Sequence, residues 1–267
     1  MPINVEALWD FTDPAESERR FRDALDCAEG DDALILQTQI ARTLGLRRRF
    51  DEAHELLDDV SDALEGPSSE LRVRNLLERG RIFRSSESPV EAESCFSAAF
   101  ALADSCQLEF LAADALHMIA LVQDTPEGQL DWNQRTVDYA RAALDRNARA
   151  WESSARNNIG VALNDLGRHN EALERFQDAL AAYERDGRAA DARIARWMVA
   201  NTLRRLGRSD EALDIQLALE AELDAVGETD PYVYDEIALL LDARGDAAGA
   251  RRYRARHERA LGEPAPN

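Results

Sequence analysis

The feature that most constrains this chain is a short pattern that returns at a nearly fixed interval. An alanine close to the start of a helix-like stretch occurs at Ala53, Ala92, Ala172, Ala212 and Ala250. The steps are 92 − 53 = 39, 172 − 92 = 80, 212 − 172 = 40 and 250 − 212 = 38. The double step places one more unit near residue 132. A unit of this size cannot bury its apolar face alone, so neighbouring units must stack to form a continuous core.

The clearest unit covers residues 153–185. Ile159, Gly160 and Leu163 share one helix face, and Ala172, Phe176, Ala179 and Leu180 share another, at steps of three and four. Leu166-Gly167 ends the first helix, since glycine accepts the left-handed backbone that helix ends often need. Gly160 and Ala172 are small where two helices would cross. The other units repeat the scheme. Arg42-Thr43-Leu44-Gly45 precedes FDEA (Phe50 to Ala53), and Gly80 and Phe83 precede PVEA (Pro89 to Ala92). Leu203, Leu206 and Gly207 precede SDEA (Ser209 to Ala212), and Ile237, Ala238, Leu241 and Gly245 precede Ala250.

This pattern resembles the tetratricopeptide repeat, with Gly160, Gly167, Ala172, Phe176 and Ala179 at its marker positions. The period is longer than the 34 residues usual for that repeat. It is similar to the subgroup with units of roughly 40 residues, found in kinesin light chains and several bacterial regulators. The resemblance implies an all-α fold, a right-handed superhelical solenoid of about six helix-turn-helix repeats behind an N-terminal capping helix. The expected division is 1–32 for an irregular start and the capping helix, 33–261 for the array, and 262–267 for a disordered tail. The repeats fall at about 33–66, 68–105, 107–146, 148–186, 188–227 and 230–261. Asp13-Pro14 opens the capping helix, which runs to about Glu29 and buries Phe21, Ala24, Leu25 and Ala28; Gly30-Asp31-Asp32 ends it. Gly66-Pro67-Ser68 marks a break.

One register is open. Counting by 40 from Ala172 puts Trp132 at the small position, where it would wedge the helices apart. One extra turn residue puts Asn133 there instead, with Val137 and Ala140 in the places of Phe176 and Ala179. The insertion preserves the packing face and is the expected register.

Composition narrows the function classes. A net charge of −20 argues against general binding to DNA or RNA. All 32 basic residues are arginine, a bias that a GC-rich, bacterial source explains. Three cysteines (Cys27, Cys95 and Cys106) without metal-type spacing suit a reducing cytosol. The start MPINVEALWDF has no basic n-region, and no apolar run approaches 18 residues, so neither a signal peptide nor a membrane span is expected and the location expected is cytoplasmic. No phosphate loop, dinucleotide fingerprint, zinc helix or nucleophile elbow occurs, and the four histidines lie in different units. Neither enzymatic activity nor a cofactor or metal is expected.

What remains is surface. In arrays of the resembled family the first helices of the pairs line the concave side, which implies a groove for an extended peptide or partner segment. Counted back from the alanine markers, that side presents Arg42, Arg81 and Arg84 in the early repeats. Repeat three adds Asp114 and His117, and His117 alone reads as packed or solvated. Repeat four presents Asn157, Asn158 and Asn164. Repeat five presents Ile194, Trp197, Met198, Asn201, Arg204 and Arg205, and repeat six Tyr232 and Glu236. Groove asparagines of the longer-repeat subgroup hold the peptide backbone, a role the resemblance gives to Asn157 and Asn201. Arg204 and Arg205 suit a carboxylate, and Trp197 an apolar anchor. The alternative is that the asparagines bridge adjacent helices and Trp197 is core. The arginine-rich last helix (Arg251, Arg252, Arg254, Arg256 and Arg259) either confers solubility or meets an acidic partner, such as a second copy. The expected function is an interaction scaffold. The other reading is a regulatory sensor whose array tightens on a small peptide or effector, and a third is that the chain acts only beside a neighbouring gene product.

Overall fold

The computed structural model describes residues 4–63 and 68–262. Among these, every regular element is helical. The expected break at Gly66-Pro67 and the expected tail beyond Gly262 lie outside the described residues. The chain divides into two compact units, Met1–Glu152 and Ser153–Asn267.

Unit 1 opens with a 3-10 turn, Glu6–Leu8, followed by α1 (Pro14–Leu25), α2 (Gly30–Leu46) and α3 (Phe50–Asp62). Then come α4 (Ser69–Ser85), α5 (Pro89–Ser105), α6 (Glu109–Ala120), α7 (Pro126–Ala142) and the single turn α8 (Arg146–Arg149). Consecutive helices pack pairwise, and α2, α4 and α6, the first helices of successive pairs, also touch one another. Asp13 caps α1, accepting from the backbone N–H groups of Ala15 and Glu16 at 3.0 Å each, with Pro14 in the first turn. The helix ends at Leu25, short of the expected Glu29. Gly30-Asp31-Asp32 do not terminate it but form the first turn of α2, where two carboxylates suit the positive end of the helix dipole.

Gly45 departs from its expected turn role. It lies inside α2, and a Cβ there would sit 3.0 Å from Ile82 Cγ1, so it is small for a contact with α4. The left-handed residue of that turn is Arg48, φ 61°. In α7 the buried residues are Asn133, Thr136, Val137 and Ala140, the register with the extra turn residue. Trp132 lies at the edge of the core, partly buried, with the Arg135 guanidinium 4.4 Å from its ring centre.

Unit 2 takes in most of α9 (Trp151–Asp165), then α10 (His169–Arg185), α11 (Ala189–Arg205), α12 (Ser209–Val226), α13 (Pro231–Ala243) and α14 (Ala247–Gly262). Gly167 and Gly207 hold the left-handed turns after α9 and α11, at φ 72° and 76°. Inside the pairs Phe176 is fully buried against Gly160. The matching place in α12, 212 + 4 = 216, holds not an aromatic but Gln216. It is fully buried, and both amide atoms lack a hydrogen-bond partner.

Candidate functional site

In unit 2 the candidate residues separate into two sets. The first is built into the fold. Asn164, on α9, donates through Nδ2 to Thr202 Oγ1 of α11 at 2.8 Å, and His169 Nδ1 lies 3.0 Å from its Oδ1. Asn201, on α11, donates to Glu236 Oε1 of α13 at 2.5 Å and accepts from Arg205 Nε at 2.9 Å. Arg204 forks onto the same carboxylate, Nε to Oε2 at 2.8 Å and Nη2 to Oε1 at 3.0 Å. The Glu236 hydrogen bond raises the Arg204 pKa above its ordinary value. Asn164, Asn201 and Arg204 therefore bridge neighbouring helices, which for the two asparagines is the alternative kept open from the sequence. Arg205 is exposed but tied to Asn201.

The second set lines open surface. Ile194, Trp197 and Met198 of α11 face Leu219 and Leu223 of α12 and Tyr232 of α13 around an apolar depression of about 600 Å³. Its walls are unusual for protein surface: Ile194 is 57% exposed and Tyr232 66%. Trp197 is half-buried, and its indole N–H donates to the Tyr232 backbone carbonyl at 3.2 Å, which fixes the ring at the rim. Trp197 is thus neither free nor core. Next to it, Ser154, Asn157, Asn158, Tyr183 and Asp191 line a smaller polar pocket of about 180 Å³, and Ile194 belongs to both. Asn157 Oδ1 is buried there without a hydrogen-bond partner. The walls given by α12 were not legible, because Leu219 and Leu223 read as ordinary core positions of a second helix.

Unit 1 has its own groove, of about 670 Å³. Its floor is charged. Arg81 holds both oxygens of Asp114, at 2.7 and 2.6 Å, and Glu78 Oε1 at 2.7 Å. Burial pulls the Arg81 pKa down, but the two carboxylates outweigh it and hold it above the ordinary value. Arg42 lies beside this pair, and Arg84 is exposed outside it. Four aromatic side chains also line the groove, Trp9, Phe11, Phe110 and Trp151. Residues 1–12 read as irregular in sequence, so Trp9 and Phe11 carried no periodic signal. His117 lies against Trp151 with ring centres 4.7 Å apart and planes tilted by 38°, and burial pushes its pKa down to about 4.

In α14, Arg254 pairs with Asp242, and Arg256 pairs with Glu220 and reaches Tyr234 Oη at 3.0 Å. Arg251, Arg252 and Arg259 are exposed. Among the described residues no group of three or more His, Cys, Asp or Glu is placed to hold a metal ion. No described helix is long and apolar enough to cross a membrane.

Residues 151–221 match the family model "Tetratricopeptide repeat". No curated protein matches the chain by sequence. Among solved structures, the apo form of RapI is 10% identical, with a TM-score of 0.71 over 95% of this chain and 73% of that one. NprR in complex with its cognate peptide NprX is 13% identical, with a TM-score of 0.60 over 97% and 75%. The nearly identical repeats of a Podosopora anserina kinesin light chain are 16% identical, with a TM-score of 0.58 over 74% and 99%. At these identities the likeness is one of fold. Residues 151–221 thus carry the tetratricopeptide-repeat match, and the helix-pair architecture around them continues through the other described residues.

Proposed function

We propose that this protein is an interaction module whose second unit binds an extended peptide or partner segment. The carrying observation is the apolar depression of Ile194, Trp197, Met198 and Tyr232, continued through Ile194 into the pocket of Asn157 and Asn158. An apolar side chain of the ligand sits against Trp197, and the asparagine amides, each both donor and acceptor, bond its backbone. Asn201, Arg204, Arg205 and Glu236 hold α11 against α13 and so fix the wall that carries Trp197. NprR, one of the structures of similar fold, holds a peptide. The proposal gives this chain a ligand of the same class, and gives it no catalytic step. The three cysteines are free, two of them exposed, which suits a reducing, cytoplasmic setting.

A sensor reading stands beside the scaffold reading on one observation. The α11–α12 pair, which carries Trp197, also buries the unpaired Gln216 amide. An unsatisfied amide weakens the pair that would tighten on a ligand.

The test is selection from a random peptide display library on the wild type and on a Trp197→Ala, Asn157→Ala variant of equal helicity. Enrichment of a shared apolar residue on the wild type alone supports the reading. Equal enrichment on both overturns it. Small-angle scattering with the selected peptide then separates the two forms, since a sensor contracts and a scaffold does not.

A further inference from the structure

A segment of the chain itself lies along the unit 1 groove, where Asn4, Val5, Trp9 and Phe11 line it. This arrangement is independent of the reading of unit 2. Residues 4–12 have no helix beyond the single turn Glu6–Leu8, yet they are tied to α2 by specific contacts. The Trp9 indole N–H donates to Gln39 Oε1 at 3.0 Å. Trp9 and Phe11 stack with planes 3° apart, and the Arg42 guanidinium lies over both rings, 5.1 and 5.2 Å from their centroids. Arg42 also pairs with Glu78, at 3.8 Å. Trp9 meets Phe21 of α1 edge-on, with centroids 5.1 Å apart. Between the two stacked rings, Asp10 is pinned to α1. Its backbone N–H donates to Ser17 Oγ and its carbonyl accepts from the same hydroxyl, both at 2.8 Å.

The repeat register gives these contacts their meaning. Gln39 stands 14 residues before its alanine marker, as Asn158 does (53 − 39 = 14; 172 − 158 = 14). Arg42 stands 11 before its marker, as Asn201 does (53 − 42 = 11; 212 − 201 = 11). Asn158 lines an open pocket, whereas Gln39 is 3% exposed and gives its amide oxygen to Trp9. The amide nitrogen of Gln39 is spent within the array, on Thr38 Oγ1 and Glu78 Oε1. The segment is not core in return. Phe11 is 61% exposed, and Val5, Leu8 and Trp9 are only partly buried against the core of α1–α3. A short irregular stretch held by a few side-chain contacts opens at lower free energy than a helix packed in the array. From these contacts we infer that residues 4–12 are an autoinhibitory strap. Trp9-Asp10-Phe11 takes the groove side chains of repeat one, and a partner's extended segment with aromatic residues two apart must displace it to enter the unit 1 groove.

The experiment is calorimetric titration of the full chain with a synthetic copy of the strap, Ac-Asn-Val-Glu-Ala-Leu-Trp-Asp-Phe-Thr-amide. Wild type is compared with the double variant Trp9→Ala, Phe11→Ala and with Trp9→Phe, and circular dichroism confirms the fold of each. Trp9→Phe keeps a ring against Phe21 and loses the N–H to Gln39, so it carries the comparison alone where the double variant loses helicity. A short tether gives the built-in strap an effective concentration of about a millimolar, so wild type is expected to bind the copy at least about tenfold more weakly than the double variant. Trp9→Phe is expected to fall between the two. Adding Gln39→Ala and Arg42→Ala to the double variant is expected to abolish binding. Adding Trp197→Ala is expected to leave it unchanged, which separates this site from the one in unit 2. No binding to any folded variant, equal affinity in wild type, binding that survives Gln39→Ala with Arg42→Ala, or binding lost in Trp197→Ala overturns the inference.

Discussion

Gly160 and Phe176 are fitted to each other. A Cβ built on Gly160 would lie 2.6 Å from Phe176 Cε1 and 2.7 Å from Cζ, closer than any real methyl group sits to a ring. Gly80 and Phe96 repeat the relationship in unit 1, at 2.5 and 2.8 Å to the matching atoms. The glycine lets α9 approach α10 until the ring fills the gap. Gly160→Ala is expected to destabilise unit 2 by about 1–3 kcal/mol, the usual cost of overpacking, despite the higher helix propensity of alanine. Denaturant unfolding measures it. A second substitution, Phe176→Leu, is expected to recover part of the loss, because it empties the space the new methyl needs.

Gln216 breaks that rule and supplies the opposite prediction. It takes the place of Phe176 in the α11–α12 pair but buries two polar atoms without partners. Gln216→Met keeps the length and removes the unmet amide. It is expected to stabilise unit 2 by about 1–3 kcal/mol. If the weakened pair serves sensing, the same variant shows a smaller contraction on ligand binding.

Glu236 holds three side-chain bonds and is 3% exposed. Glu236→Ala strands Asn201 and leaves Arg204 without its counter-ion. The expected loss is about 2 kcal/mol, below the value for a fully buried pair because the Arg204 side chain keeps 28% exposure. A matching loss of ligand binding through displacement of α11 follows, and titration at a temperature where the variant is fully helical detects it.

His117 gives unit 1 a pH dependence. It is faced by Asp114, Arg81 and Arg84, and its folded pKa of about 4 lies below the ordinary 6.5. The unfolded chain takes up the proton first, so the stabilising difference is complete above pH 6.5 and is lost as pH falls toward 4. The full difference amounts to about 3 kcal/mol at most. His117→Phe, compared with wild type across this range, is expected to gain relative stability at the acid end. Parallel curves for the two proteins would show that His117 carries none of the acid sensitivity.

The repeat period, the helix pairs and the register around Asn133 were legible because each follows from local periodicity and residue size. The site was legible only in part. Counting from the alanine markers singled out Trp197 and Asn157, which line the two unit 2 pockets, but it could not tell an asparagine with an unmet amide oxygen from one that bridges to Thr202 or Glu236. That distinction depends on the residue facing it roughly 35–40 positions away, as in Asn164–Thr202 and Asn201–Glu236. Gly45 misled because a glycine near a helix end looks alike whether it turns the chain or admits Ile82. Trp9 and Phe11 stayed hidden because a non-periodic segment offers no face to count along.

The central claim, that the Trp197 depression of unit 2 is the peptide-binding surface, is tested most directly by titrating a library-selected peptide into wild type, Trp197→Ala and Arg42→Gln. The account predicts that Trp197→Ala weakens binding by at least about 2 kcal/mol, as loss of an aromatic anchor does, while Arg42→Gln leaves it unchanged. Unaltered affinity in Trp197→Ala would contradict the account, and loss in Arg42→Gln alone would move the peptide site to unit 1.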